Sequence, residues 1–133
     1  MLQKNLKYIY YVAFILFALS AFYGLLIRWN FAYPKSGFAY DNMLQSHSHV
    51  AFLGWGFLAC AGGIYQLFIK SAVLRKKSVY TWSILIMALA VLLMLISFPT
   101  GGYKVFSIVL LSVFGLVSYI FFYHVLKDLN GND

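Results

Sequence analysis

Two histidines separated by a single residue, His47 and His49, are the side chains best suited to chemistry in this sequence. They lie in the segment QSHSHVAFLGWGF, at positions 45–57, where a long hydrophobic run begins. Neutral imidazole is a common ligand of heme iron, copper and zinc. The two rings are therefore candidates for a metal or heme site at one end of an apolar helix, and the alternative is that both only form hydrogen bonds with loop carbonyls.

The spacing of the two histidines predicts that they face different directions. Positions i and i+2 of an α-helix are separated by about 200°, whereas a two-histidine metal clamp on one helix uses positions i and i+4. On the face of His47, Ala51 and Gly54 predict a shallow trough in which a flat macrocycle can lie below the imidazole. Small residues at this spacing are equally typical of close helix packing in membranes.

The elements that position these histidines are predicted to be membrane helices. Of the 133 residues, 63% are hydrophobic, 10% are charged and none is Glu. A bilayer core about 30 Å thick is crossed by roughly 20 apolar residues of helix. Four runs of this kind contain no Lys, Arg, Asp or Glu: 8–27, 50–69, 79–98 and 105–125.

We therefore predict an all-α fold, an integral membrane four-helix bundle that forms a single domain over residues 1–133. The helices are expected at about 8–28, 42–69, 79–98 and 103–126. Asp41 is expected to cap the second helix by accepting from its free amides, and Pro99 is expected to end the third.

The net charge of +7 is distributed unevenly along the chain. One side of the predicted bundle carries Lys4, Lys7, Lys70, Arg75, Lys76, Lys77 and Lys127, and the other side carries Arg28, Lys35 and Lys104. By the positive-inside rule, both termini lie in the cytoplasm. The charge thus predicts contact with a lipid bilayer, no nucleic-acid partner, and a multi-pass protein of the bacterial inner (cytoplasmic) membrane.

The segments GLLIRWNFAYP and YDNMLQSHSHVAFLGWGF resemble the first two helices of the catalytic subunit of heme-copper oxygen reductases and related nitric oxide reductases. In that family, helix two begins with an axial histidine ligand of the low-spin heme. The resemblance implies a cytochrome b-like site with heme b on His47, Gly54 seven residues further on, and a polar position at His49. Arg28, at the end of helix one, is a candidate partner for a heme propionate, which favours a fork of donors.

The resemblance covers about 45 of the 133 residues. The family's catalytic subunit has about a dozen helices, and its remaining heme and copper ligands lie on helices that this chain lacks. The only other histidine, His124, is expected at the opposite end of helix four. An oxidase activity of this chain alone is therefore not expected.

Three classes of function stay open. The first is a small membrane heme protein for electron transfer or for binding a gas such as NO or O2, with a sixth ligand from a second copy, a partner protein, a rearranged His49, or no protein at all. The second is a copper or zinc site that uses His47 and His49 with oligomer partners. The third is a non-catalytic small subunit or assembly factor of a respiratory membrane complex. A homo-oligomer or a larger respiratory complex is the expected assembly.

Overall fold

The computed structural model describes residues 2–34, 39–68 and 78–130, with side chains from residue 8 onward. This part of the chain is helical and contains no strand. Its four helices are α1 (Leu2–Ala32), α2 (Tyr40–Phe68), α3 (Ser78–Gly101) and α4 (Val105–Asn130). The shortest, α3, has 24 residues and is about 36 Å long, which exceeds the roughly 30 Å of a bilayer core. The prediction of four helices long and apolar enough to span a membrane is confirmed.

Successive helices run antiparallel, as contacts at both ends of the bundle indicate. Tyr80, near the start of α3, donates a hydrogen bond to Asp128, near the end of α4. Gly102, just after α3, lies against Asn42, near the start of α2. We call the end where α2 and α4 begin the histidine end, and the opposite end the Asp128 end. His47 and His49 lie at the first, and His124 lies towards the second.

Helices α2 and α3 form the centre of the bundle, with α1 packed mainly on α2 and α4 packed mainly on α3. Met87, Val91, Met94 and Phe98 of α3 are fully buried, and their spacing of three or four residues places them on one stripe of the helix. The outward faces of α1 and α4 expose many large apolar side chains. This stripe of α3 is therefore apolar, whereas the buried Ser97 beside it accepts a hydrogen bond from Ser107 of α4.

The middle of α2 is a π-helix. Its segments are Tyr40–His49 (α), Val50–Phe57 (π) and Leu58–Phe68 (α). A π-helix bonds residue i to residue i+5, so each turn contains more residues than an α-turn. Buried positions accordingly advance by four at a time, and they are Ser46, Val50, Gly54 and Leu58. The side chains after His49 therefore point in different directions from those of the regular α-helix that the sequence predicted.

The helix ends differ from two predictions. Helix α2 begins at Tyr40, and Ala39 occupies the N-cap without a side-chain hydrogen bond. The prediction that Asp41 caps α2 is wrong, because Asp41 lies in the first turn, where its charge still interacts favourably with the helix dipole. The expected end of α3 at Pro99 is also wrong, since the helix continues to Gly101. The basic segment 69–77 and Lys35 lie outside the described residues.

Neighbouring helices compensate for Pro99. Proline has no N–H, so the carbonyl of Leu95, four residues earlier, loses its helical donor. The hydroxyl of Tyr23 on α1 donates to this carbonyl at 3.0 Å, and the hydroxyl of Ser46 on α2 approaches it at 3.4 Å. Because the freed carbonyl is satisfied from two other helices, α3 tolerates proline in its last turn and is joined to α1 and α2 beside the histidines.

Candidate functional site

His47 projects from α2 against α1, where its ring is fixed by Ser20. The Nδ1 atom of His47 lies 2.8 Å from the carbonyl oxygen of Ser20. A carbonyl only accepts, so Nδ1 carries the hydrogen. The Ser20 hydroxyl in turn donates to the carbonyl of His47 at 3.3 Å. The Nε2 atom makes no hydrogen bond to any described residue and keeps its lone pair, which is the arrangement found in histidines that bind a metal through Nε2.

Gly24 provides the space that the imidazole of His47 occupies. A Cβ atom added at Gly24 would lie 3.2 Å from Cε1 of His47, and the Nδ1 atom would be 3.6 Å away. Gly24 follows Ser20 by four residues, and Arg28 follows Gly24 by four, so the three lie in one column on α1. Arg28 is exposed at the histidine end of this column. Sequence reasoning identified Arg28 but missed Ser20 and Gly24, whose signal is this spacing of four.

His49 lies on a different side of α2, as the spacing predicts. Its Nδ1 atom is 2.7 Å from the carbonyl oxygen of Gln45 and therefore carries the hydrogen. Its Nε2 atom accepts from the Tyr103 hydroxyl at 3.2 Å. The ring stacks on Phe98 with a centroid distance of 4.6 Å and an interplanar angle of 20°. Both nitrogens are engaged, so a metal at His49 has to displace the tyrosine.

Gly54 lies at a close contact between three helices. A Cβ atom at this position would be 2.9 Å from Cγ1 of Val91 on α3 and 3.1 Å from Cδ1 of Leu16 on α1. The predicted trough beside Gly54 is therefore filled, and a macrocycle does not fit inside the bundle there. Ala51, one turn from His47, is half-buried within the π-helix. Of the two interpretations of these small residues, Gly54 matches close helix packing.

The described residues do not bring together the ligands of a complete metal site. Among residues 2–34, 39–68 and 78–130, no group of three or more His, Cys, Asp or Glu side chains is close enough to hold a metal ion. His124 is half-buried towards the Asp128 end, beside the ring of Tyr123. The histidine end also contains a buried acceptor, Oε1 of Gln45, with no hydrogen-bond partner in the described part of the chain. Each chain thus offers His47 as its available imidazole at this end.

No protein-family model matches the chain, and no curated protein or solved structure matches it. The similarity to the oxygen reductase subunit accordingly stays a prediction from the residues quoted above.

Proposed function

We propose that this chain is a small membrane protein in which His47 supplies one axial ligand to heme b. The observation that carries the proposal is the hydrogen bond from Nδ1 of His47 to the carbonyl of Ser20. It fixes the tautomer and the orientation of the ring, and it leaves Nε2 as the electron-pair donor. A backbone acceptor on the second nitrogen is typical of ligating histidines, because it orients the ring and raises its basicity.

The surroundings of His47 favour a heme on the surface of the bundle rather than inside it. Leu16 and Val91 fill the space beside Gly54, so the ring system has no room between α1 and α3. Arg28 is exposed two turns beyond Ser20 on the same column of α1, where its guanidinium is available to a heme carboxylate. His47 is half-buried and thus remains within reach of a group held at an interface with another chain.

The second axial ligand then comes from outside this chain. His49 is bonded at both nitrogens, and His124 lies towards the opposite end of the bundle. A two-fold pairing presents the same surface twice and brings two copies of His47 to one iron. Heme iron with both axial positions filled supplies electron transfer, and iron with one open position binds gases such as NO or O2. A homo-oligomer for electron transfer is the form of the proposal that we favour.

We further propose a bacterial inner membrane location with both termini in the cytoplasm, because by sequence the excess of Lys and Arg flanks the helices at the Asp128 end. A fluorescent protein fused to the C-terminus tests the orientation. We expect fluorescence from the fusion, since such reporters mature in the cytoplasm. A fusion that is inserted in the membrane but not fluorescent would show that the C-terminus lies on the opposite side.

Absorption spectra of the detergent-purified protein test heme binding. Oxidised and dithionite-reduced samples are compared for the wild type, His47→Ala and His49→Ala after addition of heme b. We expect a sharp Soret band in the wild type and in His49→Ala, and its loss in His47→Ala. The His49→Ala variant is the matched control, because it removes an imidazole two residues away that is bonded to Tyr103.

Two other outcomes would overturn the proposal. No porphyrin absorbance in the wild type, even with heme added, leaves a non-catalytic subunit of a membrane complex as the better interpretation. Copper or zinc that is bound without porphyrin and lost in both variants favours a metal site shared between copies. Within one chain the two imidazoles contact different helices, so such a site also needs a second chain.

A further inference from the structure

A narrow apolar cavity lies between α1, α2 and α3 towards the Asp128 end. Its volume is about 240 Å³. Its floor is formed by Val12, Leu58, Ile84 and Ala88, and its rim includes Tyr8 and Thr81. From Thr81 to Ala88 it extends over seven residues of α3, or about 10 Å. Both rim residues are exposed. The cavity is therefore a slot parallel to the helices, open sideways to the surface that faces lipid in a membrane.

The dimensions and lining of the slot favour a hydrocarbon chain. Pockets for drug-sized molecules measure about 300–1,000 Å³, and this cavity is smaller. Val12, Leu58, Ile84 and Ala88 make the floor apolar, and the buried part of the lining also includes Tyr65 and Tyr80. Tyr80 is only 1% exposed and donates its hydroxyl to Asp128 at 2.8 Å, and the ring of Tyr65 packs on that of Tyr80 with a centroid distance of 5.2 Å. The hydroxyl of Tyr80 is thus already engaged, which disfavours a ligand that needs this donor, such as a quinone.

The charge at this end of the bundle favours an anionic head group. By sequence, seven of the ten Lys and Arg residues flank the helices here: Lys4, Lys7, Lys70, Arg75, Lys76, Lys77 and Lys127. The acidic Asp128 is 6% exposed and accepts from Tyr80, so it does not present its carboxylate at the rim. Clusters of Lys and Arg next to membrane helices attract anionic lipids. Four of these residues lie in the segment 69–77, outside the described part of the chain, and none of them is assigned to the site.

We propose that the slot binds one acyl chain of an anionic phospholipid, with the phosphate near the hydroxyls of Tyr8 and Thr81. The apolar floor takes the acyl chain, the two hydroxyls donate to the phosphate, and the positive charge that by sequence flanks the helices at this end favours an anionic head group. This site lies at the opposite end of the bundle from His47 and does not depend on heme.

Lipid retention tests the proposal on the full-length protein. The protein is extracted in detergent, stripped of native lipid, and incubated with equal amounts of dioleoyl phosphatidylglycerol and dioleoyl phosphatidylcholine. Native mass spectrometry then counts bound lipid. We expect a single retained lipid, with phosphatidylglycerol favoured at least fivefold. The assay needs no heme, so its result and that of the Soret experiment are independent.

Variants of the floor and the rim test separately how the acyl chain and the head group contribute to lipid binding. Ala88→Leu places a larger side chain in the slot, and Ala18→Leu adds the same bulk at an exposed position of α1 as a control. We expect Ala88→Leu to lose at least fivefold of the retained lipid and Ala18→Leu to behave as the wild type. Thr81→Val preserves volume and removes a rim hydroxyl, so it should retain lipid but reduce the preference for phosphatidylglycerol.

Three outcomes would overturn the proposal. The first is equal retention of the two lipids by the wild type, because the head group then plays no part. The second is unchanged retention by a folded Ala88→Leu variant, because the bound lipid then lies elsewhere on the surface. The third is stoichiometric displacement of the lipid by a quinone, which would reassign the slot to a ring-shaped ligand. Thr81→Val keeps the test decisive if Ala88→Leu fails to fold.

Discussion

Because Gly24 has no side chain, it leaves the space in which the imidazole of His47 lies. Gly→Ala substitution inside a helix ordinarily stabilises by about 0.5–1 kcal/mol. At Gly63 an added Cβ meets nothing within 4 Å, whereas at Gly24 it lies 3.2 Å from Cε1 of His47. We expect Gly63→Ala to gain the ordinary stabilisation. We expect Gly24→Ala to gain little or none, because the ring must move away from Ser20.

Unfolding free energies in mixed micelles measure this difference, and the ¹⁵N signals of the His47 ring report whether the bond to Ser20 weakens. The larger Gly24→Leu variant should also reduce heme affinity at least tenfold, while Gly63→Leu should not. Equal stabilisation by the two alanine variants, with an unchanged His47 spectrum, would show that Gly24 does not hold the ring in place.

At the scale of the helices, Pro99 couples α3 to α1 through the carbonyl of Leu95. Tyr23→Phe removes the 3.0 Å hydrogen bond to this carbonyl and leaves Ser46 at 3.4 Å. Hydrogen bonds between membrane helices contribute about 0.6 kcal/mol on average, and we expect a loss of this order. In a Pro99→Ala background, residue 99 regains an N–H that can donate to Leu95. Tyr23→Phe should then have a smaller effect.

A double-mutant cycle on the unfolding free energy measures this coupling. Tyr11→Phe is the control, since Tyr11 is exposed on the same helix and its hydroxyl has no part in the contact. The same cost of Tyr23→Phe in both backgrounds would mean that the proline does not create the need for the tyrosine hydroxyl.

The sequence predicted the helices well because apolar length alone marks them. It did not predict the π-helix Val50–Phe57, because an apolar run indicates a helix but not its pitch. We attribute the wider turn to tertiary packing, since this segment lies against both α1 and α3. The same tertiary effect explains the continuation of α3 through Pro99. A donor on another helix replaced the missing N–H, and sequence spacing along α3 contains no information about it.

Prediction of the site was limited in a similar way. The spacing of His47 and His49 correctly separated their directions, because i and i+2 lie on different faces of any helix of about this pitch. The spacing did not show which of the two rings keeps a nitrogen that can bind a metal. That depends on Ser20, Gly24 and Tyr103, which lie 23 to 54 residues away along the chain and become neighbours only in the folded bundle.

At the scale of the whole molecule, one available imidazole per chain at the histidine end has a consequence for stoichiometry. If two copies of His47 hold one iron, the purified protein contains one heme per two chains and sediments as a dimer. Pyridine hemochrome analysis measures the heme content, and sedimentation in density-matched detergent measures the mass. A monomer with one heme per chain contradicts the symmetric site and points to gas binding at an open position.

Mixed dimers test whether the second chain only pairs with the first or also supplies a ligand to the iron. Two differently tagged chains, one wild type and one His47→Ala, are co-expressed and purified through both tags. If two copies of His47 hold one heme, each such dimer has a single ligating His47 and one axial position of the iron is open. We expect the reduced mixed dimer to bind carbon monoxide rapidly, whereas the wild-type dimer must first release a histidine and should bind it at least tenfold more slowly. Equal rates would show that the second ligand is not the partner's histidine, because removing it then changes nothing at the iron.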